Sequence, residues 1–151
     1  MKKVQTHIKI DTTPALVIKA FTDSKMLRQW WGVDKCIIET VAGGLYTLAW
    51  QVKEASIGYV STGIITRHIP DQELIVDNLV YLNPSKDFLG PMKLTVRAAV
   101  NDGLTDVYLC QEGYQSGKDW EWYYDAVKDA WPEVMIVLKN YLENSTTTAK
   151  A

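Results

Sequence analysis

The chain is poor in the residues that most enzymes use. Its 151 residues include only two cysteines, two histidines and two phenylalanines. Cys36 and Cys110 stand far apart with no C-x-x-C spacing. They read as two reduced, buried thiols, and neither a redox pair nor a local zinc site is expected. His7 and His68 stand singly in strand-like runs and read as surface or strand-end residues rather than a general base. Residues 58–63 do not form the Gly-x-Ser-x-Gly nucleophile elbow. No glycine-rich phosphate loop or G-x-G-x-x-G turn is present. No catalytic residue, metal site or cofactor is therefore expected. No stretch approaches the ~18 apolar residues of a membrane helix, so no membrane insertion is expected. The first seven residues have no apolar core of a secretory signal, which sets the expected location in the cytoplasm. With 16 Lys plus Arg against 18 Asp plus Glu, the net charge is -2. That balance offers no basic face for nucleic acid.

Large amphipathic aromatics are what the chain has in plenty, with six Trp and eight Tyr. Hydrophobic residues make up 47% and charged residues 23%, an ordinary globular balance. One domain over residues 1–144 is expected, followed by a disordered tail at 145–151 without an apolar anchor.

Residues 2–10 alternate, placing Val4, Thr6, Ile8 and Ile10 on one side of a strand. Thr13 and Pro14 read as N-cap and first residue of a short helix. Asp23 or Ser24 opens a second helix, closed by Gly32. Period-two strands follow near 34–40, 44–53, 57–69, 73–82, 91–101 and 104–114. Short turns such as Asn101-Asp102-Gly103 make them an antiparallel meander. A helix from about Asp119 to Glu143 carries one wide apolar stripe, including Trp120, Tyr123, Tyr124, Val127, Trp131, Met135 and Leu138. Pro132 lies on the far side of that stripe and predicts a kink or break near Asp129–Trp131. The sheet's inner face and the helix stripe each need covering, and each can cover the other.

The inward strand sets are Tyr46, Leu48 and Trp50, then Leu74, Val76, Asn78 and Val80. Met92, Leu94, Val96 and Ala98 follow on the next strand, and Thr105, Val107, Leu109 and Gln111 on the last. Asn78 and Gln111 stand out as amides on apolar faces. Either they bond neighbours or they meet a ligand in a cavity, since an unpartnered buried amide costs about 1–3 kcal/mol.

Several short segments, in this order and spacing, resemble a known family. They are Pro14-Ala15, Ala20-Phe21-Thr22-Asp23, Leu27-Arg28-Gln29-Trp30-Trp31-Gly32, Gly43-Gly44 and Gly63-Ile64-Ile65. Pro70 with Leu74, Gly103-Leu104-Thr105, Gly113-Tyr114, Trp131-Pro132 and the run Leu138 to Glu143 complete the set. The chain resembles the SRPBCC superfamily, the START-like and birch-pollen-allergen-like helix-grip proteins. More narrowly, it is similar to the small bacterial homologues of the heat-shock-protein-90 ATPase activator. The resemblance implies an α+β helix-grip fold. In it a curved seven-stranded antiparallel sheet grips a long C-terminal helix, two short helices follow strand 1, and a cavity lies between sheet and helix. It also implies non-catalytic binding of a hydrophobic, lipid-like or aromatic small molecule. The sequence departs from common family wording at Asn78 and Gln111.

On that basis the expected cavity lining is Trp31, Tyr46, Leu48, Trp50, Val76, Asn78, Leu94, Val96, Leu109, Gln111, Tyr123, Tyr124, Val127, Trp131 and Met135. Two rival functions accompany it. One is a cyclase- or aromatase-like enzyme, which would need a general acid or base such as His68, or Arg67, inside the cavity. The other is a co-chaperone-like protein-interaction module. Helical-wheel geometry places Trp122 and Ile136 opposite the stripe, where they could form a homodimer face.

Overall fold

The computed structural model describes the backbone of residues 2–150 and the side chains of residues 2–144. The tail expected at 145–151 lies outside the described side chains. In chain order the elements are β1 (Lys3–Ile10), α1 (Pro14–Thr22), α2 (Ser24–Trp30), β2 (Lys35–Ile38) and β3 (Leu45–Trp50). They continue with β4 (Tyr59–Ile69), β5 (Glu73–Leu82), β6 (Leu89–Asn101), β7 (Leu104–Glu112) and α3 (Lys118–Lys150). All strands join one antiparallel sheet in the order β1-β7-β6-β5-β4-β3-β2. The chain therefore has the α+β helix-grip architecture, with two short helices between β1 and β2 and α3 against the sheet's inner face.

Local chemistry sets most boundaries. The Thr13 hydroxyl accepts the Leu16 N–H and Pro14 takes the first position of α1, as expected. Asp23 caps α2 by accepting from the Met26 N–H. Asp102 and Gly103, both left-handed, turn β6 into β7 with Asn101 paired to Leu104. β3 ends earlier than the alternation predicts because Gln51 adopts φ 55° and leaves the extended region. α3 runs through Pro132 as one helix, so the break expected near Asp129–Trp131 is absent. Pro132 is solvent-exposed, so the carbonyl it leaves unbonded faces water.

One irregularity redirects a whole strand. β5 carries a bulge against β6 between Val76 and Leu79, and Asn78 there has φ 51°. Before the bulge, Leu74 and Val76 face inward; after it, Leu79 and Tyr81 do. On β4, opposite, Gly63 allows the close approach: a Cβ there would lie 2.7 Å from Val76 Cγ1 and 2.9 Å from the Asp77 carbonyl.

The core is continuous from α1 and α2 through the sheet to α3. Three buried aromatic donors tie the short helices down. Trp30 Nε1 donates to the Ala20 carbonyl at 2.8 Å, Tyr46 Oη to the Phe21 carbonyl at 2.7 Å, and Trp50 Nε1 to the Trp31 carbonyl at 3.2 Å. Such donors find partners when buried because an unmade bond costs more than a made one returns.

Candidate functional site

Between the first half of α3 and the concave side of β3, β4 and β5 lies a cavity of about 350 Å³. That size is at the lower end of the range for small-molecule sites. Eight of the residues that border it are aromatic, and all but Tyr46 touch another of these rings. Trp31 meets Trp131 with centroids 5.3 Å apart, and Trp50 stacks on Tyr59 at 5.0 Å. Tyr81 packs against Tyr123 at 4.5 Å and Trp122 at 6.4 Å. Ala126 and Ala130, both exposed, border the opening along α3. Two successive small side chains on the helix leave a gap that Leu or Phe would fill.

Gln111 is the polar hub of the wall. Its Oε1 accepts the Trp131 indole N–H at 2.8 Å, and its Nε2 donates to the Tyr123 hydroxyl at 2.9 Å and to Met92 Sδ at 3.5 Å. The amide is thereby bonded to neighbours and fixes two rings of α3 against β7. Polar capacity remains elsewhere. The Tyr81 hydroxyl accepts from Asn83 Nδ2 at 3.0 Å and keeps its own proton to donate. The Tyr59 hydroxyl and Ser61 Oγ make no hydrogen bond among the described residues. Burial pushes the Tyr46 and Tyr123 phenols well above their ordinary value, and Tyr59 upward too, through burial and then the neighbouring Tyr81. These groups stay neutral donors at physiological pH. Among the described residues no Asp, Glu, His, Lys or Arg lines the cavity. Arg67, exposed, pairs with Glu73 away from it, and His68 does not border it. Among the described residues no group of three or more His, Cys, Asp or Glu is placed to hold a metal.

The structure sorts the expected lining into two groups. Trp31, Tyr46, Leu48, Trp50, Leu94, Gln111, Tyr123, Val127 and Trp131 border the cavity. Val76, Val96, Leu109 and Met135 face the same interior but lie in its solid part, packed to near-zero exposure. Tyr124 turns toward the β1 side, edge-on to Tyr114 at 5.1 Å with Lys2 Nζ 4.8 Å from its ring. Asn78 is a correction: it is exposed, because its left-handed backbone makes it the bulge residue. Trp122 is another. It does not lie on an outer face with Ile136 but sits 40% exposed at the cavity opening, with Lys86 Nζ 4.4 Å from its ring.

Sequence reasoning missed Tyr59, Ser61, Leu79, Tyr81, Ala126, Ala130 and Val134, which also border the cavity. The alternation Tyr59, Ser61, Gly63, Ile65 carried a usable signal for β4. Leu79 and Tyr81 are out of phase with Leu74 and Val76, and only an Asn tolerant of positive φ hints at the slip.

The family model of "Activator of Hsp90 ATPase homolog 1-like protein" matches residues 11–143. The chain belongs to this family. Solved structures share its fold at low sequence identity. The Aha1 dimer from Colwellia psychrerythraea, in solution, is 16% identical with a TM-score of 0.71, covering 95% of this chain and 97% of that one. Protein MLL2253 from Mesorhizobium loti is 17% identical with a TM-score of 0.74, covering 95% and 98%. DynU16, a protein of the dynemicin biosynthetic locus, is 14% identical with a TM-score of 0.70, covering 96% of this chain and 48% of its own. No protein of curated function matches the chain. Among the described residues no helix is long and apolar enough to cross a membrane.

Proposed function

We propose that this member of the family binds one neutral, mainly apolar small molecule, lipid-like or aromatic, in the cavity under α3, without transforming it. The observation that carries this reading is a cavity of about 350 Å³ walled by contacting aromatic rings with no charged side chain. A ligand there would gain from apolar burial, at roughly 25 cal/mol per Å² removed from water. Charged ligands would be refused, because nothing in the wall would pair with them. The Tyr59 and Tyr81 hydroxyls and Ser61 Oγ favour a ligand carrying one or two acceptor oxygens along its edge. The absence of an acid or base in the wall supports holding over catalysis. A cytoplasmic setting fits the two free thiols, Cys36 and Cys110.

Tryptophan fluorescence and thermal shift, run against fatty alcohols, sterols and flavonoids, test the proposal. Trp31, Trp50, Trp122 and Trp131 all border the cavity. Saturable quenching should therefore accompany a rise in Tm, and a ligand at one hundred times its Kd should add about 2.7 kcal/mol of stability. If no neutral ligand of any of these classes quenches or stabilises at its solubility limit, the proposal fails.

A further inference from the structure

β2 ends the sheet on one side and β1 on the other, and the two free edges differ in what they would do to a second copy. β2 is antiparallel to β3, with Ile37 opposite Thr47 and Cys36 opposite Leu48. Glu39 donates its N–H to the Leu45 carbonyl, continuing that register. In an antiparallel ladder alternate residues bond the same neighbour. Lys35, Ile37 and Glu39 therefore turn their backbone groups to β3, and Cys36 and Ile38 turn theirs to the open edge. The side chains alternate as well: Lys35, Ile37 and Glu39 lie exposed on the outer face, while Cys36 and Ile38 are half-buried inside.

We propose that the β2 edge is a self-recognition surface, on which two copies of this chain pair β2 antiparallel about a two-fold axis through Ile37. In that register Cys36 of each copy faces Ile38 of the other, and each exchanges N–H and C=O with its opposite. Ile37 faces its own counterpart as a close, non-hydrogen-bonded pair. Lys35 of each copy falls opposite Glu39 of the other, so the charges complement at both ends. The same edge holds a concentration of exposed apolar surface, with Ile37 59%, Val41 61% and Leu45 40% exposed. Pairing covers Ile37 and brings the two patches together. β1 behaves in the opposite way. Its outer row is Lys3, Gln5, His7 and Lys9, and self-pairing about Thr6 would set Lys3 against Lys9. Natural edges use like charges in this way to refuse a partner. Its far end is also tied to α3, where Lys139 Nζ donates to the Lys9 carbonyl at 2.9 Å. The β2 contact is short, so the dimer is a weak one, well under the ~1,200 Å² of a standard stable interface.

Sedimentation equilibrium of the full chain from about 10 µM to 1 mM tests the proposal, together with three variants. Wild type should shift from single-chain to two-chain mass across that range. Lys35→Glu, which sets Glu against Glu, should weaken association at least tenfold. The swap Lys35→Glu with Glu39→Lys should restore it. Register is tested separately by oxidative crosslinking in a Cys36→Ala, Cys110→Ala background. Ile37→Cys should link to itself, and Glu39→Cys should not. A chain that stays single at 1 mM overturns the proposal. So does association that ignores Lys35→Glu but is lost in Ile136→Glu, which would place the contact on α3. Should Lys35→Glu fail to fold, absence of the Ile37→Cys crosslink still overturns it.

Discussion

The two halves of α3 carry the same apolar periodicity and end in opposite packing states. Beyond Trp131 the stripe is closed. Met135, Leu138 and Leu142 are at 1%, 0% and 1% exposure, and the edges of that half are pinned by polar contacts. Tyr141 Oη donates to Gln29 Oε1 at 2.6 Å, and the Asp11 N–H donates to Glu143 Oε2 at 2.9 Å. Before Trp131 the stripe stands over empty space, bordered by Ala126, Val127 and Ala130, and its main polar tether to the sheet is Gln111. Apolar periodicity decides which way a helix faces. Side-chain volume on both sides decides whether the space between is filled. Alanines on one side and a bulged β5 on the other leave this half hollow.

The largest effect should come from opening the closed half. Leu138→Ala should cost about 2–5 kcal/mol in urea or thermal unfolding, with ligand stoichiometry below the new Tm unchanged. Cutting the tether comes next. Gln111→Leu removes the acceptor of the Trp131 indole N–H and the donor to Tyr123. It should cost on the order of 1–3 kcal/mol, and Trp131 emission should shift as its hydrogen bond is lost. Filling the hollow half should reverse the pattern. Ala130→Trp should leave stability within roughly 0.5 kcal/mol, as at an exposed site, while abolishing the fluorescence response to ligand. If Ala130→Trp destabilises as much as Leu138→Ala, the halves do not differ in the way described.

The smallest effect lies outside both halves and serves as their control. The Arg97 and then the Arg67 guanidinium beside Glu73 hold its carboxyl below the usual carboxylate range. A depressed value means the stabilisation is fully present above the ordinary carboxylate pKa and is lost as pH falls through the lowered one. Comparing Glu73→Gln with wild type should therefore show a small stability gap at pH 7 that closes as the pH falls below the ordinary carboxylate range. Ligand affinity should not change.

Much of the fold was legible because local chemistry and tertiary packing agree. Thr13-Pro14 caps α1, Asp102-Gly103 turns the last hairpin, and period-two runs lie where the strands are. The inward faces of β3, β6 and β7 were readable by the same alternation. The cavity was less so. Val96, Leu109 and Met135 face inward as expected, yet sit where the interior is solid, since facing in says nothing about being filled. Asn78 failed for a sharper reason. Strict alternation carries its phase through a bulge that the backbone does not, so every assignment beyond it on β5 inverted. Trp122 was placed outside because a helical wheel treats the stripe as a fixed arc, while the sheet curls round to meet the wider side of the helix at the opening.

That bulge also has a genetic consequence. Loss of the single codon for Asn78 would restore plain alternation along β5 with Leu79 and Tyr81 still facing in, whereas losing the bulge with every residue kept would send them to the solvent side and bring Val80 and Leu82 in. One substitution that forbids the left-handed conformation at position 78, touching no residue of the cavity wall, would by that route replace a phenol-bearing wall with an aliphatic one. Among relatives, presence or absence of the bulge at a fixed strand length would be enough to separate proteins that prefer oxygen-bearing rings from proteins that prefer bare hydrocarbon.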